Sequence, residues 1–172
     1  MTGSNEKGTL MTDSTTSGAA KVAELLKGHR TAMLTTTAVD GTLISRPMAL
    51  QEVEFDGDLW FFAELSSRKI AHLSAHPQVN VTVASGSTWV SLTGTGTVVQ
   101  DAAKKKELWN TVVEAWFPDG ESNDDIILLK VVGDSAQYWD TPGGRVASLI
   151  SFAKAKTTGQ PYSGGESDTV NL

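Results

Sequence analysis

Ser66, Ser67, Arg68 and Lys69 bring two hydroxyls and two cations together two residues after an aromatic run, Trp60-Phe61-Phe62-Ala63. Ile70, Ala71 and Leu73 then follow at helical spacing, so the four residues stand where a strand ends and a helix begins. The unpaired N–H groups of a helix N-terminus and the helix dipole both favour an anion there. Serine hydroxyls donate to phosphate oxygens, and a guanidinium offers a bidentate fork. Two cations at that end of a helix oppose its dipole, a conflict that a bound phosphate resolves. A solvated helix start with its charges turned outward is the alternative. Arg46-Pro47-Met48 is a second candidate: an arginine inside an apolar-leaning strand needs a carboxylate or an anionic ligand, and Pro47 interrupts the ladder beside it. Phe62 next to small Ala63 could flank a planar ring while the backbone supplies directional hydrogen bonds. Trp60 and Phe61 suit core packing better.

Other chemistries find less support. His72 and His76 have the i, i+4 spacing of a chelating pair, but no third ligand is evident and Pro77 disrupts the turn, so no metal site is expected. Gly94-Thr95-Gly96 lies inside a strand pattern with no helix directly after it, which favours a bulge over a phosphate loop. No Gly-x-Ser-x-Gly elbow occurs, and the absence of cysteine removes thiolate chemistry and disulfides together. A net charge of −6 argues against nucleic-acid binding through phosphates. With no apolar run long enough for a bilayer and no charged-then-apolar leader, the expectation is a cytoplasmic protein without membrane contact.

The elements that must position these residues read as mostly β. At 172 residues the chain suits one domain, with a disordered lead over 1–18, the folded domain over 19–156 and a flexible Gly- and Ser-rich tail over 157–172. An amphipathic helix is predicted over 19–27, with Gly28 as its C-cap. Strands follow at 31–37, 42–54 and 59–63, separated by the turn pairs Asp40-Gly41 and Asp56-Gly57, which predicts a three-stranded antiparallel meander. Pro47 implies an edge or a bulge. A helix over 66–75 is capped by Ser66 or Ser67 and ended by His76-Pro77; strands at 79–84 and 89–100 come next. Asp101 caps one helix running to about Phe117, with Lys104–Lys106 on a solvated face. A strand at 126–132 continues at 136–139 after a kink at Gly133, and a last helix is predicted over 146–155. Local strand pairing with inserted helices fits an antiparallel split β-barrel of about six strands with flanking helices, and not a doubly wound parallel sheet.

The order Ser45-Arg46-Pro47-Met48, the strand 59–63, Ser67-Arg68-Lys69 and His76-Pro77-Gln78-Val79 resembles the pyridoxamine 5′-phosphate oxidase-like, FMN-binding split-barrel superfamily. Ser91-Leu92-Thr93-Gly94 and Tyr138-Trp139-Asp140 resemble its general stress protein branch more closely. The resemblance spans about 19–156. It implies an FMN-binding flavoprotein linked to stress response, in which Arg46, Pro47 and Met48 lie along the ring and ribityl chain. Phe62 and Ala63 would bond the flavin through their backbone, and Ser67, Arg68 and Lys69 would grip its phosphate. It also implies a homodimer with the flavin at the interface, to which Trp89, Ser91 and Trp139 of a second copy would contribute. The Arg-Leu-His signature of the true oxidases is missing after Trp139, so vitamin B6 oxidation is not implied. A flavin-dependent oxidoreductase of a small molecule is the favoured reading. The alternatives are a non-catalytic carrier or sensor of FMN or FAD and a reductase using the deazaflavin F420; heme on this fold is the weakest.

Overall fold

Residues 18–52, 55–140 and 166–172 are described by the computed structural model. The lead expected over 1–18 (all but its last residue) and the helix expected over 146–155 therefore lie outside the described residues. A first helix, α1, covers 18–26 and buries Val22, Leu25 and Leu26, one face of its amphipathic pattern. Gly28 follows at φ 80°, the left-handed conformation that a C-cap glycine supplies without strain.

The strands are β1 (Thr31–Thr37), β2 (Leu43–Ala49), β3 (Asp58–Glu64), β4 (Gln78–Ser85), β5 (Thr88–Val99), β6 (Ile126–Asp140) and β7 (Glu166–Asn171). Helix α2 (Arg68–Ala75) lies between β3 and β4. All pairings are antiparallel, in the order β2-β1-β4-β5-β6-β3, with β7 added to β6. The sheet is an open, split barrel, as expected. Pro47 sits on the edge strand β2, which pairs with β1 alone and needs no donor there.

Three expectations are corrected. The meander stops at two strands: β3 leaves its sequence neighbour β2 and pairs with β6 at the opposite end of the sheet, where the Gly57 carbonyl accepts the Gly133 N–H at 2.9 Å. The eight residues between β2 and β3 are too many for a tight hairpin, and β6 offers Leu128, Leu129 and Val131, all fully buried, as the better partner surface. The helix expected from Asp101 to Phe117 is two helices, α3 (Ala102–Leu108) and α4 (Thr111–Trp116). Asn110 breaks it by accepting the Val112 and Val113 N–H groups as a second N-cap. The tail expected to be flexible over 157–172 contains β7, whose Val170 is buried opposite Ala136. A bulge does occur near Gly94, with Asp134 of β6 as the extra residue between the pairs Thr93↔Ser135 and Gly94↔Gly133.

Inside the barrel, Phe61, Leu34, Leu92 and Leu129 form one cluster with α1. Phe62, Leu108, Val113 and Leu128 form another beneath α3 and α4.

Candidate functional site

The split in the barrel lies between the edge strands β2 and β3. They share no ladder; just beyond β2 the Gln51 N–H donates to the Trp60 carbonyl of β3 at 3.2 Å. Because strand residues alternate in direction, Phe62 and Glu64 turn their backbone groups to the same side as Trp60, away from β6. The Glu64 carbonyl is taken up there by the Ser67 N–H at 3.1 Å. Phe62 thus presents its N–H and C=O along the open edge, whereas Ala63 turns its own toward β6, where it stands opposite Ile127. The Phe62 side chain is buried edge-on to Trp109, centroids 5.5 Å apart, so its ring packs the core and only its backbone is available to a ligand.

Where β3 gives way to α2, a cleft of about 290 Å3 is lined by Ile44, Arg46, Ser67, Arg68, Lys69 and His72. Hairpin register brings Arg46 here: it pairs with Leu34, so its side chain shares the inner face of the sheet with Leu34 and Thr36. Its Nη1 donates to the Leu34 carbonyl at 3.4 Å and its Nη2 to Thr36 Oγ1 at 2.8 Å. Ser67 is the N-cap residue of α2, but its hydroxyl caps no backbone group; it accepts from Lys69 Nζ at 3.0 Å. The first turn of α2 holds no acidic residue. Ser66 turns away and donates to Asp125 at 3.2 Å.

Arg46, Arg68 and Lys69 therefore converge with no carboxylate within ion-pair distance among the described residues. Burial and the neighbouring Arg68 both push the Arg46 guanidinium below its ordinary range. Burial and then Arg46 do the same to Lys69, with Glu64 opposing. Like charges held together at the positive end of a helix are an electrostatic cost that an anion removes. A larger cleft of about 410 Å3, further along the split at Gln51 and Trp109, lacks this character. Its Arg30 is paired with Glu52 at 3.1 Å and its Asn110 donates to Gln51 at 3.0 Å.

The remaining candidates lie elsewhere. Met48 packs against the core beneath β2. Pro47 faces outward, in a cross-strand row with Met33, Thr82, Ser91 and Gln137. Trp89 and Trp139 pair across β5 and β6 on the same outer face, 44% and 41% exposed. Ser91 accepts from Asn80 at 2.9 Å. Three strand spacings, ~14 Å, separate β5 from β2, and the outer face is opposite to the one Arg46 uses. Within one chain the indoles and the cations do not meet. Sequence reasoning missed Ile44, Thr36 and His72 as members of this neighbourhood. His72 was legible in part, since it stands one helical turn beyond Arg68. It is buried with Nδ1 2.9 Å from Thr36 Oγ1, and no group of three or more potential metal ligands occurs among the described residues.

The family model described as pyridoxamine 5′-phosphate oxidase like matches residues 17–163. The chain belongs to that family. Its similar structures place it in the general stress branch. A protein provisionally named general stress protein 26 from Jannaschia sp. CCS1 is 26% identical, with a TM-score of 0.75 over 91% of this chain and 99% of that one. The general stress FMN/FAD binding protein of Xanthomonas citri is 31% identical, with a TM-score of 0.63 over 73% of this chain and 90% of that one. Protein bli-3 of Neurospora crassa is 26% identical over 152 residues, covering 81% of this chain and 73% of its own length. Among the described residues of this family member no helix is long and apolar enough to cross a membrane.

Proposed function

We propose that this protein binds FMN at the barrel split, holding the phosphate in the cationic cleft, and serves as a flavin-dependent oxidoreductase of a small molecule. The observation that carries the reading is the convergence of Arg46, Arg68 and Lys69 on one cleft without a carboxylate partner among the described residues. Arg68 and Lys69 neutralise the phosphate, Ser67 adds a hydroxyl, and Arg46 offers the guanidinium donors that Leu34 and Thr36 leave free. Phe62 contributes the backbone pair of its open edge. The flavin supplies the redox chemistry when bound; the chain orients it and sets the charge around it. The similarity to a FMN/FAD binding protein of the same branch supports a flavin, and a single cluster of cations at one helix end suits the terminal monophosphate of FMN.

The outer face carries Trp89, Ser91 and Trp139 on the side of the sheet away from the cleft. They reach a ligand only if a second copy presents them, so we read the working unit as a homodimer. Titration with FMN and with riboflavin, with molar mass followed by light scattering, tests the reading. The expected result is saturable FMN binding, much weaker riboflavin binding and a mass of two chains. A monomer that binds both flavins equally would overturn it. Steady-state turnover with a nicotinamide donor then separates an oxidoreductase from a carrier or sensor.

A further inference from the structure

Thr36 and His72 are two of the three buried polar residues among those described, at 1% and 8% exposure. The third, Gln51, is engaged by Asn110 in the other cleft. Burying a hydroxyl and an imidazole costs free energy unless both are bonded, and here the bonds form one chain that ends on a cation. Arg46 Nη2 donates to Thr36 Oγ1 at 2.8 Å, and Thr36 Oγ1 lies 2.9 Å from His72 Nδ1. A guanidinium can only donate, so it occupies a lone pair of the hydroxyl oxygen and leaves the hydroxyl hydrogen to seek an acceptor. His72 Nδ1, 2.9 Å away, is placed to be that acceptor in the Nε2–H tautomer of the ring. The imidazole thereby fixes the hydroxyl rotor, and the hydroxyl fixes one edge of the guanidinium.

We propose that Thr36 and His72 are positioning residues that aim Arg46 into the cleft for the ligand's phosphate. The role rests on the flavin reading above and goes beyond it, since it gives Thr36, and His72 at the cleft wall, a task exerted through Arg46. Among the described residues Arg46 has no carboxylate partner, and apart from Thr36 it is held by a long bond to the Leu34 carbonyl, 3.4 Å. With Arg68 and Lys69 beside it, a loose guanidinium would swing away from like charge toward solvent. The Thr36–His72 pair opposes that swing without adding a carboxylate, which would cancel the charge the phosphate needs.

A double-mutant cycle on the full chain tests this. Thr36→Val should weaken FMN about five- to tenfold, less than the loss of a direct charge-assisted contact because the guanidinium is loosened and not removed, and move riboflavin by less than about twofold. Thr36→Ser should restore binding. His72→Leu should lose the same affinity, and His72→Asn, whose Oδ1 replaces Nδ1 as acceptor, should recover it. In an Arg46→Ala background Thr36→Val should have no further effect. If Thr36→Val weakens both flavins alike, or acts equally without Arg46, the residues merely pack α2 onto β1 and the proposal falls. If Thr36→Val does not fold, the His72→Leu and His72→Asn pair decides by the same criteria. Inorganic phosphate separates the two readings. If FMN does not bind but phosphate raises the melting temperature of wild type and not of Thr36→Val, the flavin reading fails and the positioning role stands. If phosphate stabilises neither, the positioning role falls as well.

Discussion

At the scale of residues, the cleft is defined by cations that no carboxylate among the described residues pairs with. Lys69 illustrates the consequence. Burial, and after it Arg46, hold its ammonium below the ordinary lysine value of 10.5. A phosphate dianion reverses that balance by stabilising the charged form, so binding at alkaline pH takes up a proton. FMN affinity should therefore stay level through neutral pH and decline as pH rises through the titration of Lys69, in a window that opens below 10.5. Lys69→Arg keeps the charge and should remove the decline; titrations at a series of alkaline pH values read it. An identical decline in Lys69→Arg would assign the titration to another group. Much of this cleft was legible in the sequence, because hydroxyls and cations at a strand-to-helix junction state their chemistry locally. Thr36 was not legible: its role depends on hairpin register, which places a strand threonine beside an arginine ten residues away.

At the scale of elements, α2 must lie close to the sheet for its first turn to face β2. Gly96 of β5 permits that approach. A Cβ there would stand 2.7 Å from Leu73 Cδ2 and 3.2 Å from Val79 Cγ1, and the Gly96 N–H meets the Pro77 carbonyl at 2.8 Å, just past the helix. Gly96→Ala should cost about 1–3 kcal/mol of stability by overpacking. It should also weaken FMN more than riboflavin, because lifting α2 moves the phosphate contacts first. Denaturant unfolding and flavin titration check the two halves; unchanged stability would show that Leu73 moves aside freely. Turn pairs and amphipathic spacing revealed α1, β1, the β1–β2 turn and α2 with near-correct limits, whereas the second strand, expected over 42–54, ends at Ala49. They could not reveal that β3 pairs with β6, since the partner lies about seventy residues further along the chain and the local pattern of β3 is satisfied by either neighbour. Asn110 as a second N-cap was readable in hindsight from its residue type. The strand β7 was masked by polar composition: of its inner residues only Val170 is buried.

At the scale of the whole molecule, the open sheet explains where a ligand can be held. The barrel interior is filled by the buried side chains of Phe61, Leu34, Leu92 and Leu129. The split at β2 and β3 supplies an accessible cation cluster on one face, while Trp89 and Trp139 wait on the other. In the proposed function the phosphate of FMN seats in the cation cluster, and the most direct test removes the grip on that group alone. FMN and riboflavin affinities are measured for wild type and for Arg68→Ala combined with Lys69→Ala. Each lost charge-assisted contact should cost about 1.5–3 kcal/mol of FMN affinity, and riboflavin, which has no phosphate, should bind the variant as it binds wild type. Equal losses for the two flavins would contradict the assignment of this cleft to the phosphate.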